Sequence, residues 1–171
     1  MIEPVISVVI PAYNEEKYLP RYLPTVLASV ARWEQVSGRT AEVLVVDNAS
    51  DDATAATAAQ LGAGVITEPV RGIGHARNSG AAQAKGKYLI FIDADVDFPA
   101  DGITAVVTAM DAGDTVGGAI PALYEPTKPA TRMLFGLWRG IRAIRGGAQG
   151  SPSSAPAPPS TPSAATPPTA T

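Results

Sequence analysis

The sequence predicts an α/β fold, an open and mostly parallel sheet with helices on both faces. Three observations predict it. Four short runs rich in β-branched and apolar residues recur along the chain: 5–10 (VISVVI), 42–47 (EVLVVD), 64–67 (GVIT) and 88–93 (YLIFID). Helix-competent segments separate them, and polar residues gather where three of the runs end. Continuous apolar strands that alternate with helices pair in parallel, because each crossover lays a helix on a sheet face.

The elements follow in order. A first helix is expected over about 15–35, with Pro20 and Pro24 either interrupting its early turns or marking where a regular helix begins. Ser50 can cap a second helix over 51–61, where Asp51 and Asp52 suit the positive N-terminus and the alanine-rich body has high propensity; Gly62 stops it. A third helix should cover roughly 75–85 and end at Gly86, and a fourth about 100–111 after Pro99. A fifth strand is expected at 115–120. Residues 130–145 (ATRMLFGLWRGIRAIR) place Met133, Leu134, Leu137, Trp138, Ile141 and Ile144 on one helical face, with arginines elsewhere. That face needs a cover, either the remainder of a larger domain, a partner, or an anionic membrane surface.

The 171 residues suffice for one sizeable core, and 46% hydrophobic content is ordinary for a globular chain. A net charge of −3 gives no polyanion-binding signature, so nucleic acid is disfavoured and any phosphate chemistry must be local. The absence of cysteine excludes disulfides and thiolate metal sites and favours a reducing compartment. The first run lacks a basic leader and a small-residue cleavage site, so it reads as a strand and not a signal peptide. No window approaches the ~18 consecutive apolar residues of a membrane span. The expected location is cytoplasmic, or peripheral on the inner face of the membrane.

Residues 1–147 form the expected domain and 148–171 a disordered tail, since 152–171 contain only Pro, Ser, Ala and Thr and cannot bury a core. One reading of the tail is a flexible linker. Another uses the genetic code: codons for these four residues mostly carry C in the middle, the regularity that GC-rich genes show at the third position, so a shifted frame would produce such a run. Read in the other frame, 159–166 allow Phe-Asp-Ala-Val-Gly-Gly. Sequencing the gene across the Gly150 codon tests this, because the idea requires a one-base insertion or deletion there.

Ligands of open parallel sheets bind outside the carboxyl ends of the strands, near a switch in strand order. Here that rim collects Pro11, Ala12, Tyr13, Asn14 and Glu15, then Asp47 and Asn48, then Asp93 and Asp95. If the chain stays extended, Asp93 and Asp95 face one side and Ala94 the other. Two convergent carboxylates repel, and a hard divalent cation, Mg²⁺ or Mn²⁺, would relieve the repulsion while bridging to a diphosphate. Taken alone, the D-x-D triplet reads equally as a solvated, helix-capping loop.

The segment 71–80 (RGIGHARNSG) is the second element. Gly72 and Gly74 permit close backbone approach, and Arg77 could meet phosphate or order the aspartates. Because position 77 is Arg, the spacing is not a dinucleotide fingerprint. His75, the single histidine, reads as a structural residue. Tyr13 could stack on a base, with Asp47 accepting from a ring N–H or a ribose hydroxyl.

With these residues assembled, the chain resembles the family-2 glycosyltransferases of the GT-A fold. Four motifs carry the resemblance, in order: SVVIPAYNEE (7–16), EVLVVDNASDD (42–52), GIGHARNSGAAQAKGKY (72–88) and LIFIDADVDFP (89–99). It covers about residues 5–118. It implies a nucleotide-diphospho-sugar donor, with Pro11, Ala12, Tyr13, Glu15 and Asp47 around the nucleoside and Arg77 near the donor. Asp93 and Asp95 stand for the family's D-x-D, Asp95 being the expected direct metal ligand. Asn48 replaces an aspartate often present in its turn and joins the substrate-binding set. Such enzymes typically invert the anomeric centre by direct displacement, with a later carboxylate as general base. The quoted motifs do not include that base, so no catalytic residue is assigned, and neither Asp97 nor Asp101 is promoted to the role. The expected function is therefore sugar transfer to an unknown acceptor, impaired in this chain unless a partner supplies the base. The alternatives are a non-catalytic nucleotide-binding or docking module and a nucleotidyltransferase.

Overall fold

The computed structural model describes residues 3–113 and 117–119, all within one compact unit that ends at Ala119. The strands are β1 (Ile6–Ala12), β2 (Ala41–Asp47), β3 (Gly64–Thr67) and β4 (Tyr88–Phe91); the helices are α1 (Leu19–Ser37), α2 (Thr54–Gln60), α3 (Ile73–Gln83) and α4 (Gly102–Asp111). The sheet order is β3-β2-β1-β4, and every pair is parallel. The expected α/β architecture is present.

Handedness explains the two layers. From β1 to β3 the chain steps in one direction, whereas β3 to β4 returns past β2 and β1. Right-handed crossovers in opposite directions place their helices on opposite faces. Accordingly Ile6, Val8 and Ile10 pack with α1, α2 and α4 residues such as Leu23, Val26, Ala58 and Ile103. Their neighbour Val9 faces the other way and packs with Val46, Ile66 and Ala76 of α3. β1 lies at the centre, which is why it reads as an unbroken apolar run, and six of its seven residues are buried. Gly80 lets α3 lie directly on the sheet, for a Cβ there would collide with Val9 and come within 3.0 Å of Val46. The order reverses between β1 and β4, so the carboxyl ends of these two strands flank the switch point.

Several boundaries differ from expectation. α1 begins at Leu19, with Pro20 in its first turn, where the N–H groups have no intrahelical acceptor and proline is tolerated, and with Pro24 inside it at the loss of one helical hydrogen bond. α2 begins at Thr54 without a Ser50 cap, because the Ser50 hydroxyl instead accepts from the Asn14 N–H at 3.0 Å. α3 begins at Ile73, two residues ahead of the expected start. β4 ends at Phe91, and Ala94 and Asp95 lie in a turn, so the acidic residues are not part of an extended strand. Of the fifth strand expected at 115–120, residues 117–119 are irregular and the others lie outside the described residues. The 130–145 helix, the 147/148 boundary and the tail also lie outside them.

Candidate functional site

Two loops make the floor of the rim. The loop after β1 and the loop after β2 bond reciprocally: Asn14 Oδ1 accepts from the Asp51 N–H at 2.9 Å, and Glu16 Oε2 accepts from the Ala53 N–H at 2.9 Å. In return Asp52 Oδ2 accepts from the Glu16 N–H at 3.2 Å, and Thr54 Oγ1 accepts from the Glu15 N–H at 2.8 Å. Burial pushes the Asp52 carboxyl up, but hydrogen bonds from the Thr54 hydroxyl, the Thr54 N–H and the Glu16 N–H outweigh it and hold the group below its ordinary value. Asn14 and Ala49 both adopt φ of 57°. Asn tolerates that region; Ala does so at a cost.

On this floor Ala12 and Asp47 are register partners at the ends of β1 and β2. Pro11 precedes Ala12 and is half-buried. Asp47 is buried, and its Oδ1 accepts from the Ser50 N–H at 3.3 Å. Asn48 is 5% exposed and turned inward. Its Nδ2 donates to the carbonyls of Glu68 and Val70 at 3.1 and 2.6 Å, and its Oδ1 accepts from the Gly72 N–H at 2.7 Å. Tyr13 is exposed, and the Arg71 guanidinium lies over its ring, 4.4 Å from the centroid. Arg71 Nη2 also pairs with Asp51 Oδ2 at 2.8 Å.

Across the switch point, α3 presents Arg77, whose Nη2 donates to Asp93 Oδ1 at 3.0 Å. The Arg77 Nε is buried and has no partner among the described residues. Burial alternates through the acidic turn: Ile92 and Ala94 are buried, Asp93 and Asp95 exposed. The two carboxylates thus both leave the core, by a turn and not along the expected extended strand. α1 holds the exit of this segment, since Thr25 Oγ1 accepts from the Phe98 N–H at 2.9 Å and the buried Ser29 Oγ from the Ile103 N–H at 3.2 Å. Glu15 completes the rim. Its burial, then the charges of Asp95 and Asp52, raise its carboxyl above the ordinary value.

This donor set fits a hard divalent cation. Asp93 and Asp95 supply exposed carboxylate oxygens, the hard ligands such a cation takes. Among the described residues no group of three His, Cys, Asp or Glu side chains is placed to hold a metal. Substrate phosphates and water would therefore have to fill most of its sites, as Mg²⁺ and Mn²⁺ commonly allow.

His75 and Asp97 are exposed, and Asp101 pairs with Arg32 at 2.7 Å on the surface between α1 and α4. Sequence reasoning missed Arg71. Its signal was its place directly before Gly72 in the quoted loop, but the tyrosine it covers comes from the loop after β1, far away in the chain.

No helix among the described residues is long and apolar enough to cross a membrane. An uncharacterized glycosyltransferase of Mycobacterium tuberculosis is 36% identical over 138 residues, which cover 78% of this chain and 58% of that protein. The undecaprenyl-phosphate 4-deoxy-4-formamido-L-arabinose transferase of Serratia proteamaculans is 33% identical over 145 residues, 78% of this chain and 43% of that one. This chain thus spans a little over half the length, or less, of these relatives. The crystal structure of glucosyl-3-phosphoglycerate synthase from Mycobacterium tuberculosis in complex with Mn²⁺, UDP and phosphoglyceric acid superposes with a TM-score of 0.51 at 31% identity, covering 63% of this chain and 39% of that one. The fold is that of the GT-A glycosyltransferases. The profile of glycosyl transferase family 2 matches residues 7–156, and the chain belongs to that family.

Proposed function

We propose that this chain binds a nucleotide-diphospho-sugar across the β1/β4 switch point and serves sugar transfer with a divalent cation, Mg²⁺ or Mn²⁺. One observation carries the reading: Asp93 and Asp95 emerge from the core at the sheet's topological switch, facing Arg77 and Glu15. Asp95 is the proposed direct ligand, because Arg77 already engages Asp93. When bound, the cation offsets charge on the departing diphosphate. The complex of the mycobacterial synthase with Mn²⁺ and UDP supports the pairing of metal and nucleotide.

The chain's own residues have separable tasks. Tyr13 offers a face to the base, Asp47 an acceptor to a ring N–H or ribose hydroxyl, and Pro11, Ala12 and Glu15 the wall between nucleoside and metal. Arg77 holds Asp93 in place and adds positive charge beside the diphosphate. In the proposed inverting displacement an acceptor hydroxyl attacks the anomeric carbon as its bond to the diphosphate breaks, and a carboxylate takes the hydroxyl proton. The resemblance puts that carboxylate and the acceptor contacts beyond the motifs present here. The 171-residue chain is accordingly proposed to carry the donor-binding part and to transfer weakly or not at all by itself, in the cytoplasm or at the inner membrane face. The acceptor is undefined. Family membership favours sugar transfer over nucleotidyl transfer.

Calorimetry tests the reading. UDP and GDP are titrated into the chain with Mn²⁺ or Mg²⁺ and again with a chelator, for the wild type and for Asp95→Ala. Binding of either nucleotide that needs the cation, and loses that need in the variant, is expected; equal binding with and without chelator contradicts the metal role.

A further inference from the structure

The acidic turn has little to hold its shape from within. From Asp93 to Phe98 its backbone makes one hydrogen bond to itself among the described residues, from the Val96 N–H to the Asp93 carbonyl at 3.4 Å, which is long for such a bond. The hold comes from α1. Thr25 and Ser29 stand one helical turn apart, so their hydroxyls share a face, and both meet the segment that follows the carboxylates. Thr25 Oγ1 donates to the Tyr22 carbonyl at 2.8 Å, which commits its proton and leaves its lone pairs to accept from the Phe98 N–H. Ser29 Oγ, fully buried, accepts from the Ile103 N–H in the first turn of α4, a helix with no side-chain cap of its own. The Phe98 ring is buried and lies where a Cβ on Gly102 would stand 2.5 Å from it, so the stretch between the two hydroxyl contacts has no room to slide.

α1 also starts from the other half of the rim, because the Glu15 carbonyl receives the Tyr18 and Leu19 N–H groups. One helix therefore ties the nucleoside side to the acidic side. From this we infer that Thr25 and Ser29 are positioning residues of the donor site: their hydroxyls, through the backbone of 98–103, set where Asp93 and Asp95 stand against Glu15. Both act through the backbone and not on the donor. This inference rests on the donor-site reading above.

Two measurements test it on the full chain, as wild type, Thr25→Val, Thr25→Ser, Ser29→Ala and the control Val30→Ala, which loosens the same helix from the core without removing either hydroxyl. In the ¹⁵N-labelled chain without ligand, Thr25→Val and Ser29→Ala should shift the amides from Asp93 to Phe98, whereas Thr25→Ser and Val30→Ala should leave them in place. With Mn²⁺ held constant, affinity for UDP or GDP should fall about tenfold in Thr25→Val and in the same direction in Ser29→Ala, and stay within about twofold of wild type in Thr25→Ser and Val30→Ala. A merely structural role makes affinity follow stability, so Val30→Ala would then lose as much as Thr25→Val. That result, or unmoved turn amides in both hydroxyl variants, overturns the inference while the donor site stands. If the wild type binds neither nucleotide, the donor-site reading fails and takes this inference with it. Ser29→Ala puts the strongest helix former into the helix, so it decides the matter whether or not Thr25→Val folds.

Discussion

Arg77 of α3 and Asp93 of the acidic turn meet at 3.0 Å, across the point where the strand order reverses. The positive partner demanded by two neighbouring carboxylates is therefore half-supplied by the protein. Arg77 pairs with one aspartate, and under the proposed function the other is open to the cation.

Removing that partner separates stability from binding. Both side chains are substantially exposed, so Arg77→Ala should change unfolding free energy by less than about 1 kcal/mol. Nucleotide affinity in the presence of Mn²⁺ should fall about tenfold, since a charge-assisted contact is lost and Asp93 is freed to compete. Chemical denaturation and calorimetry on the same preparation check both halves. A large stability loss with unchanged affinity would assign Arg77 to the fold and not to the site.

Glu15 gives a pH signature. Its carboxyl is raised by burial, then by Asp95 and Asp52, so between its ordinary value of 4.5 and the raised one the folded chain holds the proton that the unfolded chain has released. Stability from this group therefore falls as pH rises through that window, and above it the ionised carboxylate is a standing cost. Glu15→Gln should be the more stable protein at pH 7. Its pH-dependent advantage should shrink as pH falls and be gone below about 4.5. Asp52 works with the opposite sign, because its lowered value gives stability that is present above the ordinary 3.8 and is lost as pH falls through the folded value. Urea melts of Glu15→Gln and wild type across pH 4 to 8 measure the difference; a constant offset would show that Glu15 is not perturbed.

Ala49 occupies a left-handed conformation at φ 57°. A Cβ there costs about 1 to 2 kcal/mol, and glycine returns about half of that gain in unfolded-state entropy. Ala49→Gly should therefore stabilise the chain by about 0.5 to 1 kcal/mol. Equilibrium denaturation reads it, and a destabilised variant would contradict the strain.

The sheet and its helices were legible because burial on both faces leaves a local mark: β1 can only be an apolar run when helices cover it on either side. The acidic pair was legible for a similar reason. Asp93 and Asp95 alternate with buried Ile92 and Ala94, and that alternation survives even though the backbone there turns. The start of α2 was not legible. The Ser50 hydroxyl that suited a helix cap is claimed by the Asn14 N–H, a partner from another loop. Arg71 over Tyr13 escaped for the same reason, since a contact between the loop after β1 and the loop before α3 has no period to read. Asn48 joined the substrate-binding set through the family turn in which it replaces an aspartate; the reach of its amide inward to the loop that carries Arg71 is a contact between loops and leaves no local pattern.

In the proposed complex a divalent cation sits on the turn at Asp95, shared with a nucleoside diphosphate. Paramagnetic broadening of backbone amides by Mn²⁺ in the ¹⁵N-labelled chain locates it most directly. With UDP or GDP present, the amides of Glu15, Ala94, Asp95 and Val96 should be the first to vanish, and Asp95→Ala should restore them. Broadening centred elsewhere, or the same broadening in the variant, would contradict the account.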